Sequence, residues 1–538
     1  MQLIGNFVAA VWLLLSVLIL KSGFVYSTKT WLAVIIVPVL VRVIYSYWLY
    51  NLYFSPYRDL PTPYDKPHWF FGHTEYVQNE QPGMAQRRWL EQLHGKSPFF
   101  KMYGVFGKER LVANSHAALQ AVFMTHSYDF VKSNITRKAL ALLIGDGLLN
   151  TEGEYHKRQR RQLSPSFSFG HIKSLTPIFI KNARALSDHL AKLVPATGNT
   201  IINIDEPVHA TTLDVIFQAG FGIESDALNN QDDEIVVAYR NSFLFDRITL
   251  PMKIDRVIGI ALQRPTVLPI KRNRDMTHGR KIIYDYVLNL LHQKEQQMQE
   301  SGDKSNSDRN IMSTILTNGR ENWTQAEIVN NLMTFLAAGH ETTLTATVLA
   351  LHELSKHPEV QTKLRKEILS LIPEYSADSS ALDLLTYDNV ESLKYLSNVS
   401  RELLRFHSPV PNTSRVATKD ILINGVLVKK GTLVLCPIGG INRLSAYWGD
   451  DSNLFNPDRW DSLPPEAASP YSFFTFLQGP RSCIGRKFAE IEFKCLLIAL
   501  VGRYEFAEQE PGKDLRRISV VTQKFANGLP IKIGCASH

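Results

Sequence analysis

The sequence predicts a mainly α-helical fold with small β-sheets, preceded by an N-terminal membrane anchor. Three observations carry this. Helical apolar spacing dominates from Trp69 onward, and its longest run opens at Thr324-Gln-Ala-Glu327 and continues to His357. Strand-like pieces are short, near residues 100–112 and 421–435. Residues 3–20 are almost unbroken in Leu, Val, Ile, Ala and Phe, without a formal charge.

Composition bounds the class. Of 538 residues, 45% are hydrophobic and 20% charged, which excludes disorder, low-complexity and collagen-like architectures. The formal charge of +8 is a mild excess at this length. Nucleic-acid binding is not expected, because no dense basic stripe is present. Four cysteines, Cys436, Cys483, Cys495 and Cys535, are too few for a disulfide scaffold and lack zinc-ligand spacing. A chemically active cysteine here would act alone, as a thiolate.

In chain order, residues 1–54 form the predicted anchor. The run 3–20 falls within the roughly 17–25 residues that cross a bilayer. Residues 31–54 hold a second apolar segment, broken by Pro38 and followed by aromatic residues suited to a headgroup layer. With one span, Lys21 and Lys29 mark the cytosolic side; with two spans they lie outside. Either arrangement leaves the body of the chain in the cytosol. Residues 55–68 are a proline-rich connector, stiff enough to fix how the body leans on its membrane. No shift in composition divides residues 69–538, which read as one domain, with the polar stretch 294–310 as an exposed loop between helices.

Within that domain, residues 153–167 read as a basic helix with His156 and Arg160 four apart, on one face. Thr324 and Glu327 form a capping box at the start of the longest helix. Its middle reads Ala338-Gly339-His340-Glu341-Thr342-Thr343. Glycine costs a helix interior about 1 kcal/mol, and a threonine hydroxyl can loosen the ladder by bonding back to a carbonyl. A carboxylate beside a hydroxyl in such a weakened stretch suits proton delivery. His340 has no second ligand at metal spacing on neighbouring turns and reads as structural. Further on, Glu402 and Arg405 are three apart and share a helix face, where they can pair.

Near the C-terminus, Phe476-Leu-Gln-Gly479-Pro-Arg481-Ser-Cys483-Ile-Gly485 leads into an amphipathic helix. A helix N-terminus favours a thiolate over a thiol. Gly479 permits a turn that a Cβ forbids, and Gly485 lets the backbone approach something flat. Arg481 can pair an anion while Phe476 shields the sulfur.

These motifs, in this order, resemble the cytochrome P450 superfamily from about residue 55 to the C-terminus, and its membrane-bound fungal-type members in particular. The resemblance implies the P450 fold and haem b (iron protoporphyrin IX), bound by the Cys483 thiolate in a loop with Phe476, Gly479, Arg481 and Gly485. It assigns His156, Arg160 and Arg415 to the haem propionates, with His156 standing where Trp is commoner. It sets Ala338 and Gly339 over the haem, Thr342 as the hydrogen-bond partner of dioxygen, and Glu341 as a proton relay through water. It joins Glu402 and Arg405 to Arg459 in a network that serves folding.

The implied reaction inserts one atom of O2 into an apolar small molecule. Electrons would come from NADPH–cytochrome P450 reductase, with cytochrome b5 as a further donor, docked on a basic face of Lys157, Arg158, Arg161, Arg486 and Lys487. The implied location is the endoplasmic-reticulum membrane, with the catalytic domain toward the cytosol. The fungal-type features lean toward a specialised metabolite such as a terpenoid or polyketide. Residues 127–150, 208–265 and 409–414 are expected to line the pocket. Two alternatives stand beside this reading: an O2-independent isomerase or dehydratase on the same fold, which would commonly lack the threonine kept here as Thr342, and a haem-binding protein without catalysis.

Overall fold

A computed structural model describes residues 53–536 except 244–248, 263, 301–309, 318–322, 377 and 520, together with the isolated positions 36, 37, 41 and 50. The predicted span 3–20 and most of the second apolar segment lie outside the described residues. Among the described residues no helix is long and apolar enough to cross a membrane.

The architecture is mainly helical with small sheets. The largest sheet has five strands in the order Phe99–Tyr103, Glu109–Ala113, Leu433–Cys436, Thr413–Ala417 and Phe130–Val131. The two strand-like regions of the sequence meet in this sheet, where Val112 pairs in parallel with Leu435. Strands Asn199–Asn203, Pro530–Cys535 and Tyr504–Glu508 form a second sheet. Ile421–Ile423 pairs with Val426–Val428, and near the C-terminus Arg517–Ser519 pairs with Gln523–Phe525.

Two hydrophobic cores divide the interior. The larger is helical and is threaded by the central helix Gln325–Leu354 and the C-terminal helix Arg486–Arg503. The smaller packs Trp89, Phe99, Phe100, Phe123 and Trp448 against the five-stranded sheet. Each large apolar side chain so buried contributes roughly 1.5–3 kcal/mol. The cysteine loop runs along the seam between the cores: Phe476 packs on the helical core and Leu477 on the sheet core. Consecutive residues reach opposite sides because Leu477 takes a left-handed conformation, φ 56°. For a non-glycine residue that costs of order 1–3 kcal/mol, offset here by burial on both sides.

The proline-rich connector lies docked on the sheet. Ser55 donates to Glu109 at 2.7 Å, Tyr57 bonds Thr432 at 2.7 Å, and the Pro61 carbonyl accepts the Lys101 N–H at 2.9 Å.

The central helix starts where predicted, at the capping box of Thr324 and Glu327, and ends at Leu354, short of His357. The Glu327 carboxylate also accepts Tyr155 Oη at 2.5 Å and Arg158 Nη2 at 2.6 Å from the basic helix Gly153–Leu163. Burial raises its pKa, but these hydrogen bonds outweigh burial and hold it at about 2. The stretch expected as a loop from residue 294 is corrected in its first part: helix Lys271–Glu300 continues through it. Lys294-Glu-Gln-Gln-Met-Gln-Glu300 is polar, but Lys, Glu, Gln and Met are all good helix formers, so polarity there marks a solvated helix face.

Candidate active site

The cysteine loop is built by backbone geometry. The Cys483 N–H donates to the Phe476 carbonyl at 2.9 Å, closing a tight turn over Gly479. Gly479 has φ +76°, and a Cβ there would stand 2.2 Å from the Phe123 carbonyl oxygen, so this position accepts only glycine. Gly485 has no such constraint from the protein: its φ is −86°, and the nearest neighbour of an added Cβ is Phe167, at 3.7 Å. It caps the C-terminal helix, and its N–H bonds the cysteine sulfur.

Cys483 is accessible, yet burial is what pushes its thiol pKa upward, while the Gly485 N–H and Arg160 pull it down. The sulfur is thus surrounded by protein yet keeps accessible surface. The other cysteines differ. Cys436 and Cys495 are buried with raised pKa values, about 12 for Cys436, and Cys535 lies exposed on a terminal strand.

Around the loop the structure gathers cations. Arg481 contacts Glu152, donates Nη1 to the Thr151 carbonyl at 3.4 Å, and lies 5.0 Å from the Tyr128 ring, while its Nε has no partner. His156 is buried with Nδ1 3.2 Å from the Tyr128 hydroxyl. Burial, then Arg481, Lys132, Arg160 and Arg415, drive its pKa down to about 3, so the ring is neutral. Arg415 is buried on its strand and donates to Thr413 and to the Ser414 carbonyl. Burial chiefly, with Arg481 beside it, lowers its pKa to about 10.

Arg160, one turn from His156 on the same helix, bonds the cysteine loop itself. Its Nη1 donates to the Ser482 carbonyl at 2.7 Å, directly beside the cysteine.

Sequence reasoning missed Lys132 and Glu152. Lys132 is buried among these groups, and burial followed by Arg415 lowers its pKa to about 7, with Glu152, 4.0 Å away, opposing. No spacing rule connects either residue to the motifs. The only available signal was a cation and an anion flanking the basic helix and its preceding strand.

On the central helix, every residue from Asn331 to Leu354 is buried except Ala338, Gly339 and Thr342. Ala338 and Thr342 are one turn apart and share a face. The Thr342 hydroxyl donates to the Ala338 carbonyl at 2.8 Å, the back-bonding expected of this stretch, while the helix itself stays continuous. Gly339 also serves packing: a Cβ would stand 2.7 Å from Ile216 Cδ1. Glu341 points elsewhere, toward the C-terminal hairpin, where Oε1 accepts Thr522 Oγ1 at 2.8 Å and Lys524 Nζ at 3.2 Å. Of the three stretches expected to line a pocket, parts of two lie against the central helix: the Ile144 carbonyl accepts Thr334 Oγ1 and the Leu148 N–H donates to Asn331, while Ile216 packs on Gly339 and His209 meets His340.

Glu402, Arg405 and Arg459 meet behind the cysteine loop. Arg459 Nε stands 3.0 Å from the Glu402 carboxylate, which also accepts Trp460 Nε1 and the Asn456 N–H. On the basic face, Lys157 pairs with Glu154, Arg158 is taken by Glu327, and Arg486 and Lys487 share Glu490.

A family model described as "Cytochrome P450" matches residues 61–526. The chain belongs to the cytochrome P450 family. Cytochrome P450 monooxygenase FUM15 of Gibberella moniliformis is 34% identical over 547 residues, covering 92% of this chain and 91% of that protein. Cytochrome P450 monooxygenase sphH of Aspergillus fumigatus is 33% identical over 485 residues, covering 88% and 87%. FSL4 of Gibberella zeae, also named a cytochrome P450 monooxygenase, is 31% identical over 554 residues, covering 99% and 97%. This P450 is therefore a fungal-type oxidoreductase of the monooxygenase class, with cysteine-ligated haem, O2 as co-substrate, a reductase as electron source and a small-molecule substrate.

The residues present fit haem. Lys132, Arg415 and Arg481 are buried cations with Glu152 as their near carboxylate, an excess of positive charge that suits two propionate groups. The unpartnered Arg481 Nε and the accessible Cys483 sulfur belong to the same loop. Thiolate is the donor that this chemistry calls for.

Proposed function

We propose that this P450 inserts one atom of O2 into an apolar small molecule of fungal specialised metabolism, a terpenoid or polyketide, using Cys483 as its haem ligand. The observation that carries the reading is a pair of accessible patches in an otherwise buried interior: Cys483 at the head of one helix, and Ala338, Gly339 and Thr342 on another. Bound haem supplies the iron at which O2 is reduced, and thiolate donation favours O–O cleavage.

The chain's own residues do the rest. Gly485 N–H and Arg160 stabilise the thiolate against burial, and Phe476 covers its loop. Arg481, Arg415, His156 and Lys132 would hold the haem propionates, with Arg160 bracing the loop at Ser482. Thr342 can leave the Ala338 carbonyl to donate toward the reacting oxygen, and Glu341, held toward the C-terminal hairpin by Thr522 and Lys524, relays protons to it through water. Glu402, Arg405 and Arg459 fix the backbone behind the loop. The basic face, partly neutralised by Glu154, Glu327 and Glu490, leaves Arg161 exposed for an acidic reductase or cytochrome b5. Residues 3–20 with Lys21 and Lys29 support an anchored enzyme at the endoplasmic reticulum, its catalytic domain toward the cytosol.

The deciding experiment supplies purified enzyme and reductase with NADPH and ¹⁸O2. One labelled oxygen in the product is expected. Product formed without label or NADPH consumption would mark an isomerase or dehydratase, and haem binding with no turnover would mark a non-catalytic role. Cys483→Ala is expected to abolish the haem-thiolate CO spectrum while Cys436→Ser and Cys495→Ser keep it. A retained spectrum in Cys483→Ala would refute the ligand assignment.

A further inference from the structure

Behind the central helix, away from the Thr342 face, a group of ionisable side chains lies out of solvent. Glu341 gives Oε1 to Thr522 and Lys524, while its Oε2 has no partner. Asp205, in the first turn of helix Asp205–Val215, accepts the Leu529 N–H at 2.6 Å. His209 is one turn further along the same face. Its ring meets that of His340 edge-on at 4.5 Å, with the Tyr239 ring 5.8 Å beyond. His209 Nε2 and both nitrogens of His340 have no partner, and both rings are almost fully buried. Asp205, Glu341, Gln523 and Lys524 share a small cavity with Leu344 and Val348. Among the described residues no group of three or more His, Cys, Asp or Glu is arranged to hold a metal ion.

Of these unmade groups Glu341 Oε2 belongs to a residue that lines the cavity, and a buried acceptor left unsatisfied is costly. A buried water typically makes about three hydrogen bonds to such groups. The cavity offers acceptors in Asp205 and Glu341 and a donor in Lys524. Asp205 is itself buried, but its chain neighbours Asn203 and Glu206 are exposed and the Asp205 N–H reaches Asn203 Oδ1 at 3.4 Å, whereas Glu341 sits among buried residues of the central helix.

We infer that Asp205 is the proton donor that recharges Glu341, through water held in the cavity between them, and that Lys524 is a positioning residue that keeps Glu341 Oε2 turned to that water. The inference rests on the reading of Glu341 as a proton supplier. In each cycle the Asp205 O–H gives its proton to the water, which passes one to Glu341 Oε2. The Asp205 carboxylate regains a proton from solvent beside Asn203 and Glu206.

The charges support this. Burial raises the Asp205 carboxyl to about 6, Lys524 opposing and Glu341 adding, so it exchanges protons in the working range. The other facing groups stay fixed. Burial keeps His340, at about 3, and His209 neutral, and holds Tyr239 protonated, while Arg240 and Lys524 act on His209 as charges.

The test uses full-length haem-loaded enzyme with reductase and compares Asp205→Asn, Asp205→Glu, Lys524→Met and Glu341→Gln. The readouts are peroxide released per NADPH, the solvent deuterium isotope effect and the pH profile of coupling. Asp205→Asn is expected to raise the peroxide share severalfold and to lose an inflection near pH 6, with Asp205→Glu restoring part of both. Lys524→Met is expected to raise peroxide without removing the inflection. Infrared titration of the resting wild type is expected to show a carboxyl band with a midpoint near 6 that Asp205→Asn lacks. If Glu341→Gln uncouples but Asp205→Asn behaves as wild type, the route is overturned and the role of Glu341 stands. If Glu341→Gln itself leaves coupling unchanged, the role of Glu341 fails, and the route fails with it.

Discussion

Arg405 donates both Nε and Nη2 to Glu402, each at 2.8 Å, with neither side chain reached by solvent. Arg459, Trp460 and the Asn456 N–H complete the shell of the same carboxylate. The pair therefore joins helix Lys394–Phe406 to the chain that leads into the cysteine loop.

Breaking a buried pair from one side leaves the other charge uncompensated, at a cost of about 3–5 kcal/mol. Glu402→Gln is expected to lose stability on that scale, read as a lower urea midpoint and a smaller haem-loaded fraction. The fraction that does load haem is expected to show a normal CO spectrum. An unchanged urea midpoint would leave the network without a structural role.

Lys132 gives the haem-free chain a pH signature. Its folded pKa of about 7 lies below the ordinary 10.5. Between those values the unfolded chain holds more protons than the folded one, so stability rises with pH across that window and the gain is lost as pH falls through about 7. Thermal unfolding of the apoprotein from pH 7 to 10 is expected to show that rise, and Lys132→Met to flatten it. A slope untouched by the substitution would assign the titration to another group.

The two loop glycines separate protein packing from cofactor packing. Gly479→Ala meets both a left-handed backbone and the Phe123 carbonyl, and is expected to abolish folding of the loop and with it haem loading. Gly485→Ala meets neither and is expected to leave apoprotein stability within about 1 kcal/mol, because an exposed or open site tolerates a methyl. Weaker haem retention in Gly485→Ala alone would locate the flat group against that backbone. Retention equal to wild type would remove Gly485 from the binding surface.

Thr342→Ala deletes the one hydroxyl on the accessible helix face and is expected to keep haem and substrate binding while diverting electrons to peroxide. Proton transfer by a positioned group contributes roughly 10²–10⁴-fold, so product per NADPH is expected to fall by on the order of 10²-fold, the lower end of that range. Thr342→Ser keeps a hydroxyl and is expected to recover much of the coupling. Equal coupling in all three enzymes would take Thr342 out of the reaction.

Local signals were legible in the sequence, and long-range contacts were not. The capping box at Thr324 and Glu327 was readable because both partners lie within one turn, and the cysteine loop because Gly479 is demanded by backbone geometry. Lys294 to Glu300 was misread because polarity is shared by loops and solvated helix faces. Lys132 and Glu152 escaped notice because a pocket of charge assembled from three separate elements leaves no spacing in the chain. The pairing of Glu341 with Lys524 crosses 183 positions, and nothing in either neighbourhood announces the other.

Glu327 answers to two masters. It closes the cap of the central helix and, through Tyr155 and Arg158, clamps the helix that carries His156 and Arg160. A straight helix rises 1.5 Å per residue, so Thr342 sits at the end of a lever arm of roughly 22 Å pivoted on that one carboxylate. A surface-level disturbance at the pivot would reach both helices together, altering the placement of His156 and Arg160 and the alignment of the Thr342 hydroxyl as a single mechanical event.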